Sequence, residues 1–128
     1  MTTDEKHNLI RRYLDAYNTF DVDGMIETLH PEVEFANVSG GETDTSATGR
    51  EEFRSMAEKA AEMFAERQQT VTDVQEGEDG EVSIQVTYEG ELARDLPGGI
   101  EAGETVQLDG RSTFAFRDGK IVRIVDHS

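Results

Sequence analysis

The sequence predicts an α+β domain in which three N-terminal helices pack on a curved antiparallel β-sheet, forming a cone. Three observations carry this expectation. Apolar residues recur at helical spacing up to about residue 67, the period changes to two from Val71 onward, and the chain closes in a hairpin around Asp118-Gly119. With 128 residues and no Pro/Gly/Ser-rich linker, the chain reads as one domain, residues 1–128, around a single core.

Leu9, Ile10, Tyr13, Leu14 and Tyr17 draw the apolar stripe of a first helix from Thr3 to about Phe20, and Thr2 with Glu5 supplies a capping box. Asp21 caps a short second helix carrying Val22, Met25, Ile26 and Leu29, which Pro31 ends. Val33 and Phe35 alternate with acids as a strand, followed by a polar loop from Asn37 to Thr48. Thr48 and Glu51 suggest a second capping box, opening a third helix whose buried face runs through Phe53, Met56, Ala57, Ala60 and Phe64 to about Arg67. A strand begins at Val71 and turns at Gly77 to Gly80. Val82, Ile84, Val86 and Tyr88 alternate in the next, and Pro97-Gly98-Gly99 sits in the following loop. Val106, Leu108, Gly110, Ser112, Phe114 and Phe116 form the inward face of a long strand, and Ile121 to Asp126 closes the sheet. A helix lying in a bent sheet leaves a conical cavity, a common place for a ligand.

The last hairpin has two registers. A two-residue Asp118-Gly119 turn would pair Phe116 with Ile121 and bring Arg123 onto the aromatic face. A three-residue loop, Arg117-Asp118-Gly119, pairs Phe116 with Lys120 and puts Ser112, Phe114, Phe116, Val122, Ile124 and Asp126 on one face. The second sorts apolar from charged residues better and is the expected one. It places a carboxylic acid, Asp126, on an otherwise largely apolar surface, where an acid is costly and usually has a purpose or a partner.

Twenty-eight acidic residues against twelve basic ones give a net charge of −16, which argues against nucleic acid as a partner. The acids are spread along the whole chain, as on a surface adapted to high salt, so a halophilic, acidic protein is expected. The absence of cysteine excludes disulfides, thiolate metal sites and a cysteine nucleophile. No apolar run of signal-peptide or membrane-spanning kind is present, so a cytoplasmic protein without membrane contact is expected. No two histidines have metal-ligand spacing, and no phosphate loop or Gly-x-Ser-x-Gly elbow occurs, so neither metal nor cofactor is expected.

Four segments together resemble the nuclear transport factor 2-like superfamily, in its SnoaL-like and ketosteroid-isomerase-like branches. They are Arg12-Tyr13-Leu14-Asp15-Ala16-Tyr17-Asn18 followed by Asp21-Val22-Asp23-Gly24, His30-Pro31-Glu32-Val33-Glu34-Phe35, Gly49-Arg50-Glu51-Glu52-Phe53, and Asp118-Gly119-Lys120-Ile121-Val122. The resemblance implies the cone fold, a small apolar organic ligand and a homodimer joined through the sheet. It also aligns Tyr13 with the helix tyrosine that donates to the developing enolate in ketosteroid isomerases. Asn37 stands where those enzymes carry the general-base Asp, and Ser112 where they carry a protonated Asp. Asn cannot accept a proton as a carboxylate does, so that isomerase mechanism does not transfer as it stands.

The sharper expectation is that Asp126 supplies the base from another strand while Tyr13 and Asn37 hold the oxyanion, giving isomerase, cyclase or dehydratase chemistry on an apolar carbonyl compound. Ser112, Phe114, Phe116, Ile124 and Tyr17 are the expected ligand-binding lining. Each also has a plain structural reading. An acid two residues from the C-terminus can lie in solvent, Tyr13 and Tyr17 can be core aromatics, and Asn37 and Ser112 can bond nearby backbone. A non-catalytic ligand-binding or dimeric scaffold domain is the alternative from another class.

Overall fold

A computed structural model describes residues 1–95 and 99–127. Three helices, α1 (Thr3–Asn18), α2 (Val22–Glu27) and α3 (Gly49–Glu62), accompany six strands. The strands are β1 (Leu29–Ser39), β2 (Glu42–Thr48), β3 (Phe64–Glu76), β4 (Val82–Leu92), β5 (Thr105–Arg117) and β6 (Lys120–His127). They form one sheet in the order β2-β1-β6-β5-β4-β3. The α+β class holds, with two corrections. Strands β1 and β2 precede α3, so the helices are not all N-terminal. The sheet is mixed, because β1 runs parallel to β6 while every other pair is antiparallel. A parallel pair needs a long crossover, and everything from β2 to β5 supplies it.

The Thr2–Glu5 capping box forms in both directions at 3.1 Å, and the Asp21 side chain accepts from the Gly24 N–H at 2.9 Å. The second box does not form. Thr48 makes no side-chain cap, and its own N–H is bound by the Glu52 carboxylate at 3.2 Å.

Several boundaries differ from expectation. The second helix stops at Glu27, so Leu29 opens β1 and Pro31 lies inside that strand instead of ending the helix. The polar segment after Asn37 is largely the edge strand β2, of which only Ala47 is buried, so it lacks an apolar alternation to announce it. The third helix ends at Glu62 rather than near Arg67. Phe64 continues the helical spacing from Ala60 but belongs to β3, where its ring lies over Gly90; a Cβ on that glycine would come within 2.7 Å of it. Of the expected loop at Pro97-Gly98-Gly99, Pro97 and Gly98 lie outside the described residues.

The core lies between α1, α3 and the inner face of the sheet. Leu9, Ile10, Tyr13 and Leu14 of α1 and Phe53 and Ala57 of α3 join Val82, Ile84, Val86, Phe114, Ile121 and Ile124 from the strands. Tyr13 meets Phe114 edge-on at 5.9 Å, and Phe53 meets Phe35 likewise at 5.8 Å. Tyr13, Phe35 and Phe53 of this cluster also border an open space beside the sheet. Leu108, on the inward alternation of β5, is 60% exposed. Among the described residues, no helix is long and apolar enough to cross a membrane.

Candidate functional site

Asp126 reaches the inner face through an irregularity in the last hairpin. Asp118 and Gly119 form a two-residue turn with φ of 53° and 76°, the doubly positive geometry that an Asp-Gly pair favours. Arg117 pairs with Lys120 and Phe116 with Ile121, so the expected three-residue loop is not what forms. Continued regularly, this register would turn Asp126 outward. Instead Val122 is an extra residue: Phe116 opposes Ile121, yet Ala115 opposes Arg123, which is a β-bulge. Beyond it Phe114 faces Ile124 and Ser112 faces Asp126. The inner set is the expected one with Ile121 in place of Val122.

On its other flank Asp126 is the parallel partner of Asn37, so three neighbouring strands present Ser112, Asp126 and Asn37 in a row. The Ser112 hydroxyl donates to Asp126 Oδ1 at 2.6 Å, and the Tyr88 hydroxyl lies 3.5 Å from Ser112 Oγ. Tyr88 can lie across the sheet because residue 110 is glycine. A Cβ there would come within 2.8 Å of the Tyr88 ring and 2.9 Å of the His127 carbonyl. Tyr13 and Tyr17 descend from α1 one turn apart and border the same space.

Electrostatics separates the acid from the tyrosines. Burial pushes the Asp126 carboxyl up to about 6, while the bond from Ser112 favours the charged form and opposes the rise. Burial raises Tyr13 well above its ordinary value, Tyr17 and Tyr88 also rise chiefly from burial, and the negative charge of Asp126 adds to all three. The carboxyl is therefore mostly ionised at pH 7, while the hydroxyls remain protonated donors. Among the described residues, nothing accepts a hydrogen bond from Tyr13.

These groups border a cavity of about 620 Å³ between the sheet and α3, whose Phe53, Met56 and Ala60 form its apolar wall. Asp126, Tyr13, Tyr17 and Asn37 line it together. Asn37 is partly occupied, since its Nδ2 donates to Asp44 Oδ1 at 2.8 Å. Ser112 is buried one layer below and acts on the cavity through Asp126.

The other expected lining residues are displaced. Phe114 and Ile124 are sealed in the core, and Phe116 packs against the core near the far end of α1, with Lys6 Nζ 5.7 Å from its ring. They share the inner face of the sheet with Asp126, but α1 covers their part of it. Most of the lining was missed, including the wall from α3 and three polar residues of the sheet, Arg67, Gln69 and Tyr88. Arg67 and Gln69 lie on β3 in a stretch that the helical spacing of Phe64 obscured; read as a strand, their separation of two would have put both on one face.

Arg67 is only 6% exposed. Its guanidinium stacks 3.8 Å from the Tyr17 ring centre and 4.7 Å from that of Phe20, and its Nε donates to the Tyr17 carbonyl at 2.9 Å. Burial lowers its pKa. The site thus combines one carboxyl poised near neutrality, several hydroxyl donors and a buried cation around an apolar space.

The family model described as SnoaL-like domain matches residues 10–124. No curated protein matches the chain. The fold is similar to that of a candidate polyketide cyclase from Xanthomonas campestris pv. campestris, with 23% identity, a TM-score of 0.78, and 98% of this chain and 90% of that one covered. It is also similar to AclR, a candidate hydroxylase from Streptomyces galilaeus, at 21% identity and a TM-score of 0.76 over 98% and 89% of the two chains. TerC, crystallised with polyporic acid, matches at 20% identity and a TM-score of 0.74 over 95% and 89%.

Proposed function

The chain belongs to the SnoaL-like domain family, and from that premise we propose that it binds a small, mostly apolar carbonyl compound and moves a proton next to the carbonyl without a cofactor. Asp126 is the base, Tyr13 the donor to the developing oxygen, and the remaining Asn37 N–H a second donor. Isomerase, cyclase and dehydratase reactions share this step. The observation that supports it best is the Asp126 carboxyl itself: inside a cavity, held by Ser112, with a pKa raised to about 6. A general base works best when its pKa lies near the working pH. Similar folds include a candidate polyketide cyclase and a candidate hydroxylase, which supports small-molecule chemistry for this chain.

A substrate-independent test is deuterium exchange at the carbon beside the carbonyl of 2-tetralone in D₂O, followed by proton NMR. The wild-type protein should accelerate exchange, with the rate rising through an apparent pKa near 6. Asp126→Asn should lose about 10²-fold or more. Exchange no faster than in buffer, or unchanged in Asp126→Asn, would dismiss the base.

We further assign a second copy of the chain to the outer face of the sheet. There the half-buried Ala36, Val125, Thr113 and Ser83 stand in one row across four strands. Light scattering on the eluting protein reads this directly, and a monomer at all concentrations would refute it.

A further inference from the structure

Arg67 is a buried cation that the proton-transfer reading leaves without a task. Among the described residues no carboxylate pairs with it, and its Nη2 is buried with no hydrogen-bond partner. Holding a charged group away from water without satisfying it is costly. Acid partners are abundant in a chain with 28 acidic residues, and Glu66, Glu89 and Glu91 border a second hollow together with the same arginine. None of them reaches it. Tyr17 and Phe20 hold the guanidinium by its ring contacts, so its direction is fixed before any ligand arrives.

The same side chain borders the main cavity together with Asp126 and Gln69. Lys59, the other cation there, is exposed on α3. A planar guanidinium with free N–H groups suits a delocalised oxyanion, whose two oxygens match its fork.

We propose that Arg67 is the anion-recognising subsite of the cavity, selecting flat conjugated ligands that carry an ionised oxyacid group, a carboxylate or an equivalent enolate. This rests on the cavity being the ligand site, as argued above, but not on Asp126 being a base. The ligand's ring system lies against Phe53, Met56 and Ala60, its oxyanion meets Arg67 with the Gln69 amide beside it, and its other end reaches Asp126. Arg67 and Asp126, the two charged groups of the cavity that are not exposed, then set the ligand's direction. The oxyanion cannot turn toward the Asp126 carboxylate without like-charge repulsion.

Two probes of one shape, 2-naphthoate and 2-naphthamide, test this by calorimetric titration at pH 8. Wild type should bind the naphthoate tighter by about tenfold or more, the usual weight of a charge-assisted hydrogen bond. Arg67→Gln should erase the preference, and Asp126→Asn should keep it. If Arg67→Gln does not fold, the wild-type protein still decides: the NMR signal of the Arg67 Nε–H should move with naphthoate and stay in place with naphthamide. Equal affinity for the two probes, tighter binding of the amide, or binding of neither overturns the proposal, whatever 2-tetralone exchange has shown. Conversely, a naphthoate preference that survives in Asp126→Asn alongside absent exchange would retain the subsite and remove only the base.

Discussion

Replacing Asp126 by Asn should stabilise the protein, and by an amount that depends on pH. Burial raises the folded carboxyl to about 6 from the ordinary 3.8 that it regains in the unfolded chain. Between these values the folded state holds a proton that the unfolded state has released, so stability falls as pH rises through that window. The difference of about 2.2 units, at about 1.36 kcal/mol each, means that ionised Asp126 costs roughly 3 kcal/mol at pH 8, and linkage gives about 1 kcal/mol at pH 4.5. Asn keeps the oxygen that accepts the Ser112 hydroxyl and removes the charge, so any fixed cost of its amide is the same at both pH values. Urea denaturation of both proteins at pH 4.5 and 8 should therefore show the variant's relative stability growing by about 2 kcal/mol across the interval, on the order of 8 °C in Tm for a chain of this length. A difference that stays flat between the two pH values would refute the argument. It would mean that the carboxyl is solvated or paired in the fold, and the case for a poised base would go with it.

Two further expectations follow from the same geometry. Ser112→Ala removes the hydroxyl that favours the charged carboxylate, so the Asp126 pKa, read from its carboxyl carbon by NMR, should move upward from about 6, with a loss of about 1–2 kcal/mol of stability at pH 8. The spread of acid over a chain of net charge −16 predicts a Tm that climbs as KCl goes from 0.1 to 1 M, where the screening length falls from about 10 Å to about 3 Å; a Tm independent of salt over that range would speak against a surface adapted to brine.

Some of this molecule was legible in its sequence because local chemistry alone decided it. The stripe and capping box of α1, the Asp21 cap of α2 and the alternation of β4 all report contacts within a few residues. Strand β2 was hidden because an edge strand with one buried residue has no apolar rhythm. The start of β3 was hidden because Phe64 satisfies two periods at once, and only the Gly90 opening across the sheet settles which applies. The same error concealed Arg67 and Gln69. For the site, the helical stripe supplied Tyr13 and Tyr17 and the family resemblance supplied Asn37, while alternation put Asp126 on the inner face. It carries no information about position along the cavity, so Phe114, Phe116 and Ile124 fell on the right face but under a helix. Val122 shows the remaining limit: the turn type and the face of Asp126 seemed incompatible until a bulge reconciled them.

That bulge divides β6 into two reading frames. Residues up to Ile121 keep step with the turn, and residues from Arg123 onward keep step with Ser112 and the cavity. Changes at the tip of the hairpin therefore need not propagate to the acid, since an added or lost residue can be absorbed at the joint between the frames. Deleting Val122 would even leave Ile121, Ile124 and Asp126 facing inward in a plain ladder. The tip of the hairpin is thus free to vary in length and sequence while the far end of the strand holds its carboxyl in place.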